Sequence, residues 1–177
     1  MNYRFATPND ADVLAKLNQQ LIRDEGHRNP MNLAQLTERM RNWLANEYQS
    51  VLFEEDQEVV GYALFRSEPE YVLIRHFFVL AVYRRHGIGR NAIEWLREHV
   101  WTDRSRLRIE VLVGNMTGCA FWRSVGFNDY CLTRRQTLTT NGKSVEIMPR
   151  ATPQRFFGLV CDIRLESCGG GRIQCQN

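Results

Sequence analysis

Residues 78 to 100 read FVLAVYRRHGIGRNAIEWLREHV and place two glycines between an apolar run and an amphipathic segment. The apolar run begins at residue 71, and its nearly continuous hydrophobic character predicts a central, buried strand over 71–83. From Gly89 to about Val100 the apolar residues recur with the period of a helix. The segment RRHGIGR, residues 84–90, is therefore predicted to join a buried strand to the start of a helix.

Such a junction leaves backbone N–H groups without partners at the positive end of the helix dipole, which suits an anion such as a phosphate. Gly87 and Gly89 allow a ligand to approach the backbone closely. Four basic side chains surround them: Arg84, Arg85, His86 and Arg90. The spacing matches neither the G-x-G-x-x-G dinucleotide motif nor the P-loop, so these residues alone are equally compatible with a tight turn and solvated arginines.

The flanking sequence predicts a fold of the α/β (α+β) class. Strands are predicted over 2–6, 50–54, 59–66, 71–83 and 107–113, and helices from Pro8 to near Gly26, over 33–46, from 89 to 100 and over 119–125. A final hairpin is predicted over 128–148, with its turn at the Asn-Gly pair of TNGK. The resulting order is β-α-α-β-β-β-α-β-α-β-β, in which a mixed, mostly antiparallel central sheet carries helices on both faces.

The length of 177 residues fits one compact domain with a sizeable core. With 44% hydrophobic and 24% charged residues, the composition is that of a globular protein. We assign residues 1–150 to that domain. Residues 151–177 have no sustained period and contain a Gly-Gly-Gly run, so they are predicted to form a flexible or loosely docked tail.

Several classes of protein are disfavoured by the composition. The first ten residues lack the layout of a secretory signal, and no apolar stretch approaches the roughly 20 residues that span a bilayer, so we expect a cytoplasmic protein without a membrane partner. The five cysteines contain no Cys-x-x-Cys pair and have no histidine nearby, so no metal site is predicted. The net charge of +3 is small, which makes nucleic acid an improbable partner.

Two motifs resemble those of the GNAT N-acetyltransferases. The run Arg84-Arg85-His86-Gly87-Ile88-Gly89 is similar to the R/Q-x-x-G-x-G/A signature for acetyl-CoA, and FVLAVY before it looks like the fourth strand of that family. Downstream, LRIEVLVGNMTGCAFWRSVGF, residues 107–127, resembles the fifth strand of the family, its asparagine turn, the next helix and a terminal Gly-Phe. The resemblance covers residues 2–148 and implies acetyl-CoA as a cosubstrate.

The resemblance also implies which residues would bind the cofactor. The amides of residues 85–90, including that of Ile88, would cradle the pyrophosphate of coenzyme A. The backbone of Phe78 and Val79 would pair with the pantetheine arm, and the N–H near Val79 would polarise the thioester carbonyl. Asn115 lies where the family places a side-chain contact to that arm, and it is equally suited to cap the last helix.

Transfer to an amine needs a base, because the attacking amine must be neutral and an ammonium with a lysine-like pKa of about 10 is not. Glu110 is the first candidate because it lies in the predicted strand beside the expected cofactor site, although pairing with Arg108 would explain it equally well. Glu25 and His27 are the second candidates. They lie in the link between the first two helices, which the resemblance makes a wall of the acceptor pocket, and an ordinary helix end is the alternative.

Trp122 departs from the family pattern N-x-x-A-x-x-x-Y, whose tyrosine protonates the leaving thiolate. An indole N–H can donate a hydrogen bond to the cofactor but does not release a proton. We therefore keep Trp122 as a cofactor-binding residue and assign no general acid. Nothing in the sequence supports Tyr83 or Tyr130 in that role.

The resemblance implies an acetyl-CoA-dependent N-acetyltransferase that moves an acetyl group directly to a primary amine. The acceptor would be a small cationic molecule or a peptide or protein amine. The acidic residues that cluster at 54–58 and 68–70 could attract such an amine, and ordinary solvated loop carboxylates are the alternative. A catalytically weak acetyl-CoA-binding sensor of the same fold is the nearer alternative, and a nucleic-acid-binding module is the more distant one. Dimers are common among similar proteins, so a homodimer is a further expectation.

Overall fold

The structure is a computed structural model that describes residues 1–26, 29–103 and 105–133, together with the backbone of 139–140 and 143–144. The chain divides into two compact units, Met1–Tyr130 and Cys131–Asn177. The predicted tail over 151–177 lies outside the described residues. The domain boundary at residue 150 therefore stays a prediction.

The first unit contains a five-stranded sheet in the order β1-β2-β3-β4-β5. Its strands are β1 (Asn2–Phe5), β2 (Gln49–Glu55), β3 (Glu58–Ser67), β4 (Val72–Val79) and β5 (Leu107–Ile109). Its helices are α1 (Ala11–Asp24), α2 (Leu33–Ala45), α3 (Ile88–His99) and α4 (Met116–Ser124). Strands β1 to β4 pair antiparallel, whereas β5 is parallel to β4. The predicted mixed, mostly antiparallel sheet and the predicted order of elements are confirmed.

The second unit shows one antiparallel pair of short strands, β6 (Thr139–Thr140) and β7 (Lys143–Ser144). These strands flank the Asn-Gly position at which the sequence predicts a turn. The hairpin predicted over 128–148 is too long at its start, because residues 128–133 are not in a strand. The remaining parts of that hairpin lie outside the described residues.

Helices cover both faces of the sheet, as the sequence predicts. Because successive strand residues point to opposite faces, Val51 and Leu52 of β2 belong to two different cores. The core under α1 and α2 includes Leu14, Leu36, Met40, Tyr62 and Leu64. The core under α3 and α4 includes Phe53, Phe65, Ile93, Leu96 and Trp122.

Two predicted strands end earlier in the structure than the apolar sequence suggests. The strand predicted over 71–83 ends at Val79, because the chain turns into a 3₁₀ helix over Ala81–Tyr83 in which the Tyr83 N–H donates to the Leu80 carbonyl over 2.9 Å. The strand predicted over 107–113 ends at Ile109, where its pairing with β4 stops. Apolar residues continue beyond the end of each strand without extending it.

Candidate active site

The parallel strands β4 and β5 separate after a short contact. Their pairing runs from Val72–Leu107 to Ile74–Ile109. Beyond Ile74, β4 continues to Val79 beside β3, whereas residues 110–113 belong to no strand. The edge of β4 from residue 75 to 79 is therefore open on the side that faced β5, and we call it the open edge.

An extra residue in β4 changes which backbone groups face the open edge. The register between β3 and β4 shifts so that His76 pairs with Leu64 and Ile74 with Phe65, which leaves Arg75 between them as a β-bulge. Before the bulge, the N–H of Val72 points toward β5 and donates to the Arg106 carbonyl over 3.0 Å. After the bulge, even-numbered residues of β4 direct their N–H groups toward β3, and odd-numbered residues direct theirs toward the open edge.

The reversal directs the backbone of Val79 to the open edge. The N–H of Leu80 donates to the Val60 carbonyl of β3 over 2.9 Å. Because backbone groups alternate along an antiparallel strand, the N–H and carbonyl of Val79 point away from β3. The backbone donor that the sequence predicts near Val79 therefore faces the gap between β4 and the segment after β5.

The glycine loop forms the start of α3. Gly87 is the N-cap with a φ of 82°, and the first intrahelical bond runs from the Asn91 N–H to the Gly87 carbonyl over 3.0 Å. The amides of Ile88, Gly89 and Arg90 therefore have no acceptor within the helix. The Ile88 side chain is buried in the core, whereas residues 84–87 are exposed.

The two glycines of the loop have different roles. Gly87 adopts a left-handed conformation, and a Cβ there would meet nothing closer than the Asn91 amide at 4.0 Å. A Cβ on Gly89 would lie 3.1 Å from Phe121 and 3.6 Å from Phe77. The space at Gly87 is thus open to a ligand, while the space at Gly89 is filled by packing between α3, α4 and β4.

The basic side chains of the loop also differ in their contacts. Arg84 donates from Nε to the Val79 carbonyl over 2.7 Å and pairs through Nη2 with Asp24 at the end of α1. Arg90 donates to the Ser124 carbonyl over 3.1 Å. Arg85 and His86 make no hydrogen bond or ion pair with any other described residue. These last two side chains are the ones that could contact a ligand without breaking an existing bond.

The end of α1 and the start of α4 are joined by two of the sequence-predicted residues. Asn115 caps α4 by accepting a hydrogen bond from the Gly118 N–H over 2.8 Å, which confirms the predicted cap. The Asn115 Nδ2 donates to Glu25 Oε1 over 3.4 Å. Both side chains are half-buried. Since the adjacent Asp24 pairs with Arg84, the end of α1 contacts the chain on both sides of the open edge.

The other candidate bases have less support in the structure. Glu110 is exposed and follows β5 directly. Within the described residues it forms no ion pair with Arg108, whose guanidinium instead lies 5.6 Å from the Tyr71 ring and 5.8 Å from the Tyr130 ring. His27 lies outside the described residues.

Trp122 is part of the core. Its ring packs against Phe77 at 5.3 Å, Phe121 at 5.2 Å and Phe127 at 4.8 Å between centroids, and the residue is 8% exposed. The sequence shows only that a tryptophan replaces the tyrosine of the family pattern. The packing of its ring in the core is visible only in the structure. The cofactor contact expected of Trp122 stays a prediction.

One polar cluster near β4 was not predicted as part of the site. It lies between α1, α2 and the sheet and consists of Asn18, Arg39, Tyr62 and His76. Asn18 is 1% exposed, and burial raises the pKa of the Tyr62 hydroxyl well above its ordinary value. A signal was present in the sequence, because Asn18 falls on the apolar stripe of α1 together with Leu14 and Leu21.

Three further observations concern the described part of the chain. It holds no group of three or more His, Cys, Asp or Glu side chains that could bind a metal ion. None of its helices is long and apolar enough to cross a membrane. A groove of about 570 Å³ borders the start of α3 at His86, Ile88 and Asn91 and is also lined by Met1, Glu55 and Tyr83; none of its lining residues belongs to β4.

Comparison with solved structures shows that the fold is that of known acetyltransferases. A predicted acetyltransferase with acetyl-CoA from Clostridium acetobutylicum has a TM-score of 0.62 and 19% identity, over 76% of this chain and 94% of that one. The ribosomal-protein-alanine N-acetyltransferase from Brucella melitensis has a TM-score of 0.63 and 16% identity, over 76% and 98%. An aminoglycoside acetyltransferase from an uncultured soil metagenomic sample, in complex with sisomicin, has a TM-score of 0.61 and 13% identity, over 78% and 96%.

The family itself is shown by sequence. The model of the acetyltransferase (GNAT) family matches residues 16–127. The chain belongs to this family. No curated protein matches the chain closely enough to add a more specific relative.

Proposed function

We propose that this protein is an acetyl-CoA-dependent N-acetyltransferase that transfers the acetyl group directly to a primary amine. The observation that carries the proposal is the open edge of β4, because Arg84, just before α3, holds the Val79 carbonyl, and the end of α1 that bears Glu25 contacts both Arg84 and Asn115. A backbone donor, an anion-binding helix start and a carboxylate are the groups that this reaction needs.

Coenzyme A would be held by its phosphates at the start of α3. The amides of Ile88, Gly89 and Arg90 lack intrahelical acceptors, and the space beside Gly87 is open. Arg85 would add positive charge, since its side chain has no described partner. The sequence predicts Arg84 as one of the basic side chains around the glycines. In the structure it binds the Val79 carbonyl, so it would fix the Val79 backbone.

Acetyl-CoA would supply an activated thioester. The Val79 N–H would donate a hydrogen bond to the carbonyl oxygen and stabilise the negative charge that develops there. Glu25 would accept the proton of the attacking amine, since Asn115, which follows β5, donates to its carboxylate. Glu110 and His27 remain the alternative bases.

The leaving group does not require a tyrosine at position 122. A thiol has a pKa of about 8.5, so a thiolate can leave and take a proton from water or from the attacking amine. The predicted backbone pairing with the pantetheine arm would fall to Val79 alone, because the backbone of Phe78, two residues before Leu80, faces β3, and the Phe78 ring is buried in the core under α1 and α2. Asn115 would contact the same arm, and Trp122 would support it from the core.

The acceptor class is supported by the fold relatives. One of them acts on a ribosomal-protein alanine, and another is an aminoglycoside acetyltransferase bound to sisomicin, so the fold accommodates both protein and small-molecule amines. We propose an amine acceptor for this chain on the same ground. A cytoplasmic location and a homodimeric state are further parts of the proposal, and neither a membrane nor a metal ion is required.

The proposal is tested by measuring free-thiol release from acetyl-CoA in the presence of a panel of primary amines. We expect turnover with at least one amine, and a fall in kcat of about 100-fold in Glu25→Gln, the usual size of a general-base contribution. Glu38→Gln is the matched control, because Glu38 is an exposed glutamate of α2 that pairs with Arg41. Binding of acetyl-CoA without turnover of any amine would instead support the sensor of the same fold.

A further inference from the structure

The guanidinium of Arg84 bridges the end of β4 and the end of α1. Its Nε donates to the Val79 carbonyl over 2.7 Å, and its Nη2 donates to a carboxylate oxygen of Asp24, the last residue of α1. Because the donors of a guanidinium form a rigid planar fork, one orientation of Arg84 serves both acceptors. The centroid of the Phe78 ring lies 5.3 Å from the Arg84 Cζ and adds an aromatic contact to the same group.

The peptide group between Val79 and Leu80 is bound on both sides. Its N–H donates to the Val60 carbonyl of β3 over 2.9 Å, and its carbonyl accepts from Arg84. Val79 is the last residue of β4, and the pairing of β4 with β5 ends at Ile109. Arg84 therefore binds the Val79 carbonyl where a neighbouring strand would otherwise do so. The Val79 N–H, the proposed donor to the thioester, belongs to the peptide group immediately before this fixed one.

The position of Asp24 in α1 is unfavourable for the helix itself. The last turn of a helix carries the negative end of the helix dipole, which disfavours a carboxylate there. The described partner of Asp24 is Arg84, which lies 60 residues away in the sequence. A residue that contradicts the local preference of its helix is expected where it serves a contact elsewhere. For Asp24, that contact is with the arginine that binds Val79.

The proposed cofactor would compete for Arg84. This arginine is partly exposed and lies three residues before Gly87, where the phosphates of coenzyme A would bind. A phosphate binds a guanidinium through charge-assisted hydrogen bonds, which are stronger than a bond to a neutral carbonyl. Without a carboxylate beside it, Arg84 would turn from Val79 toward the phosphates. Asp24 supplies the carboxylate that opposes this movement.

Arg85, the next residue, provides the comparison within the same loop. It is exposed and makes no hydrogen bond or ion pair with any other described residue. The loop therefore contains one arginine that is held by a carboxylate and one that is available to an anion. This difference separates a role in positioning from a role in binding.

We propose that Asp24 is a positioning residue for acetyl transfer: it keeps Arg84 on the Val79 carbonyl and so holds the Val79 N–H in the orientation that polarises the thioester. The inference rests on the proposed function and adds to it a residue that touches neither substrate. Glu25, the candidate base, directly follows Asp24. The end of α1 thus orients the backbone donor and carries the base.

Asp24→Asn tests this role, because it removes the charge and keeps the size of the side chain. We expect kcat, measured as thiol release at saturating acetyl-CoA, to fall by about tenfold, the size of one hydrogen bond. The Kd of coenzyme A, measured by isothermal titration, should stay unchanged or fall, because the released Arg84 turns to the phosphates. A general loss of loop structure would raise this Kd, so a raised Kd together with a lower kcat would overturn the inference.

A double-mutant cycle tests whether Asp24 acts through Arg84. Arg84→Gln should lower kcat as Asp24→Asn does, and the double variant should show no further loss. Additive losses would overturn the inference. Arg85→Gln should instead weaken the binding of coenzyme A by about tenfold, an effect that Asp24→Asn lacks. Asp129→Asn is the matched control, because it breaks another exposed pair, that of Asp129 with Arg123 of α4, and should keep the wild-type kcat and Kd.

Infrared difference spectroscopy of bound acetyl-CoA, labelled with ¹³C at the thioester carbonyl, measures the polarisation without turnover. We expect a lower carbonyl stretching frequency in the wild-type complex than in free acetyl-CoA, because the Val79 N–H donates to this oxygen. Asp24→Asn should move the frequency back toward the free value. Asp24→Glu keeps the charge and should restore part of the shift and part of kcat. Melting temperatures verify that each variant is folded.

The two levels of the account fail in different ways. A folded Asp24→Asn protein with the wild-type kcat and the wild-type carbonyl frequency would overturn the inference and leave the acetyltransferase proposal intact. A wild-type frequency equal to that of free acetyl-CoA would also overturn the inference. Absence of thiol release with every amine would overturn the proposed reaction, and the carbonyl frequencies of the wild type and Asp24→Asn would still decide whether Asp24 orients the Val79 donor.

Discussion

Asn115 caps α4 with one end of its side chain and holds Glu25 with the other. Its Oδ1 accepts a hydrogen bond from the Gly118 N–H over 2.8 Å, and its Nδ2 donates to Glu25 Oε1 over 3.4 Å. Glu25 and Asn115 are 90 residues apart in the sequence. The sequence suggests either a helix cap or a site contact for Asn115. The structure shows both a cap and a contact with a candidate base.

Asn115→Asp separates these two contacts. The aspartate keeps an oxygen for the Gly118 N–H, so we expect the free energy of unfolding to change by less than about 1 kcal/mol. It loses the donor to Glu25 and places a second negative charge beside that carboxylate. We expect kcat for acetyl transfer to fall by about tenfold, measured as thiol release at saturating acetyl-CoA.

Asn115→Ala is the companion variant, since it removes both contacts and should cost about 1 kcal/mol of stability from the lost cap. Urea unfolding of the two variants gives their stabilities. If Asn115→Asp retained the wild-type kcat, Glu25 would not depend on Asn115 for its position.

The order of elements was predictable from the sequence because the hydrophobic period changes clearly between helices and strands. The separation of β4 and β5 was not predictable. Apolar residues such as Leu80 and Val113 continue the hydrophobic pattern of a strand beyond the point where β4 and β5 stop pairing with each other. The bulge at Arg75 is also absent from the pattern, yet it directs the Val79 backbone to the open edge. Pairing and register depend on contacts between strands, which hydropathy does not record.

The part of the candidate site that depends on local sequence was predictable, and the part that depends on contacts between distant elements was not. The glycine loop at the start of α3 is visible because a local turn needs particular residues. The contact between Glu25 and Asn115 depends on how α1 and α4 meet, so the sequence gives two candidates without joining them. By sequence Arg39 belongs to the polar face of an amphipathic helix, and its contacts with Asn18 and Trp43 are visible only in the structure.

Gly89→Ala tests the role that the structure gives to the second loop glycine. A Cβ there would lie 3.1 Å from the Phe121 ring, which is tighter than ordinary packing. We expect a loss of about 1–3 kcal/mol in the free energy of unfolding from overpacking, partly offset by the better helix propensity of alanine. Urea unfolding measures the loss.

Phe121→Leu should partly rescue Gly89→Ala, because it removes ring atoms at the point of the clash. A stabilised Gly89→Ala protein would show that α3 does not need this close approach.

The pair of Arg4 and Asp10 predicts a change of stability in acid. The Arg4 guanidinium binds both oxygens of Asp10, at 2.8 and 3.0 Å, and lowers the pKa of that carboxyl from 3.8 to about 2. A carboxyl whose pKa is lowered by folding stabilises the protein above its unfolded pKa, and this contribution is lost as the pH falls from about 4 to 2. Because Arg4 is partly exposed, we expect less than about 1 kcal/mol.

Asp10→Asn should therefore be less stable than the wild type at pH 5, and the difference should shrink toward pH 2. The measurement is urea unfolding at a series of pH values. Asp12→Asn, at an exposed position of the first turn of α1, is the control. A difference that stayed constant with pH would mean that Asp10 stabilises the protein through its contacts with Thr7 and not through its charge.

The most direct test of the account is a titration of the melting temperature with acetyl-CoA, using the wild type, Gly87→Glu and Gly126→Glu. Gly87 and Gly126 both have positive φ and open space for a side chain, so the two variants carry matched strain and charge, but only Gly87 lies at the start of α3. A ligand that binds only the folded state stabilises it by RT ln(1 + [L]/Kd), about 2.7 kcal/mol at 100 times Kd. We expect the wild type and Gly126→Glu to melt at higher temperature with acetyl-CoA, and Gly87→Glu to show no shift. A wild-type protein whose melting temperature does not rise even at millimolar acetyl-CoA would contradict the assignment of this loop, and with it the proposed reaction.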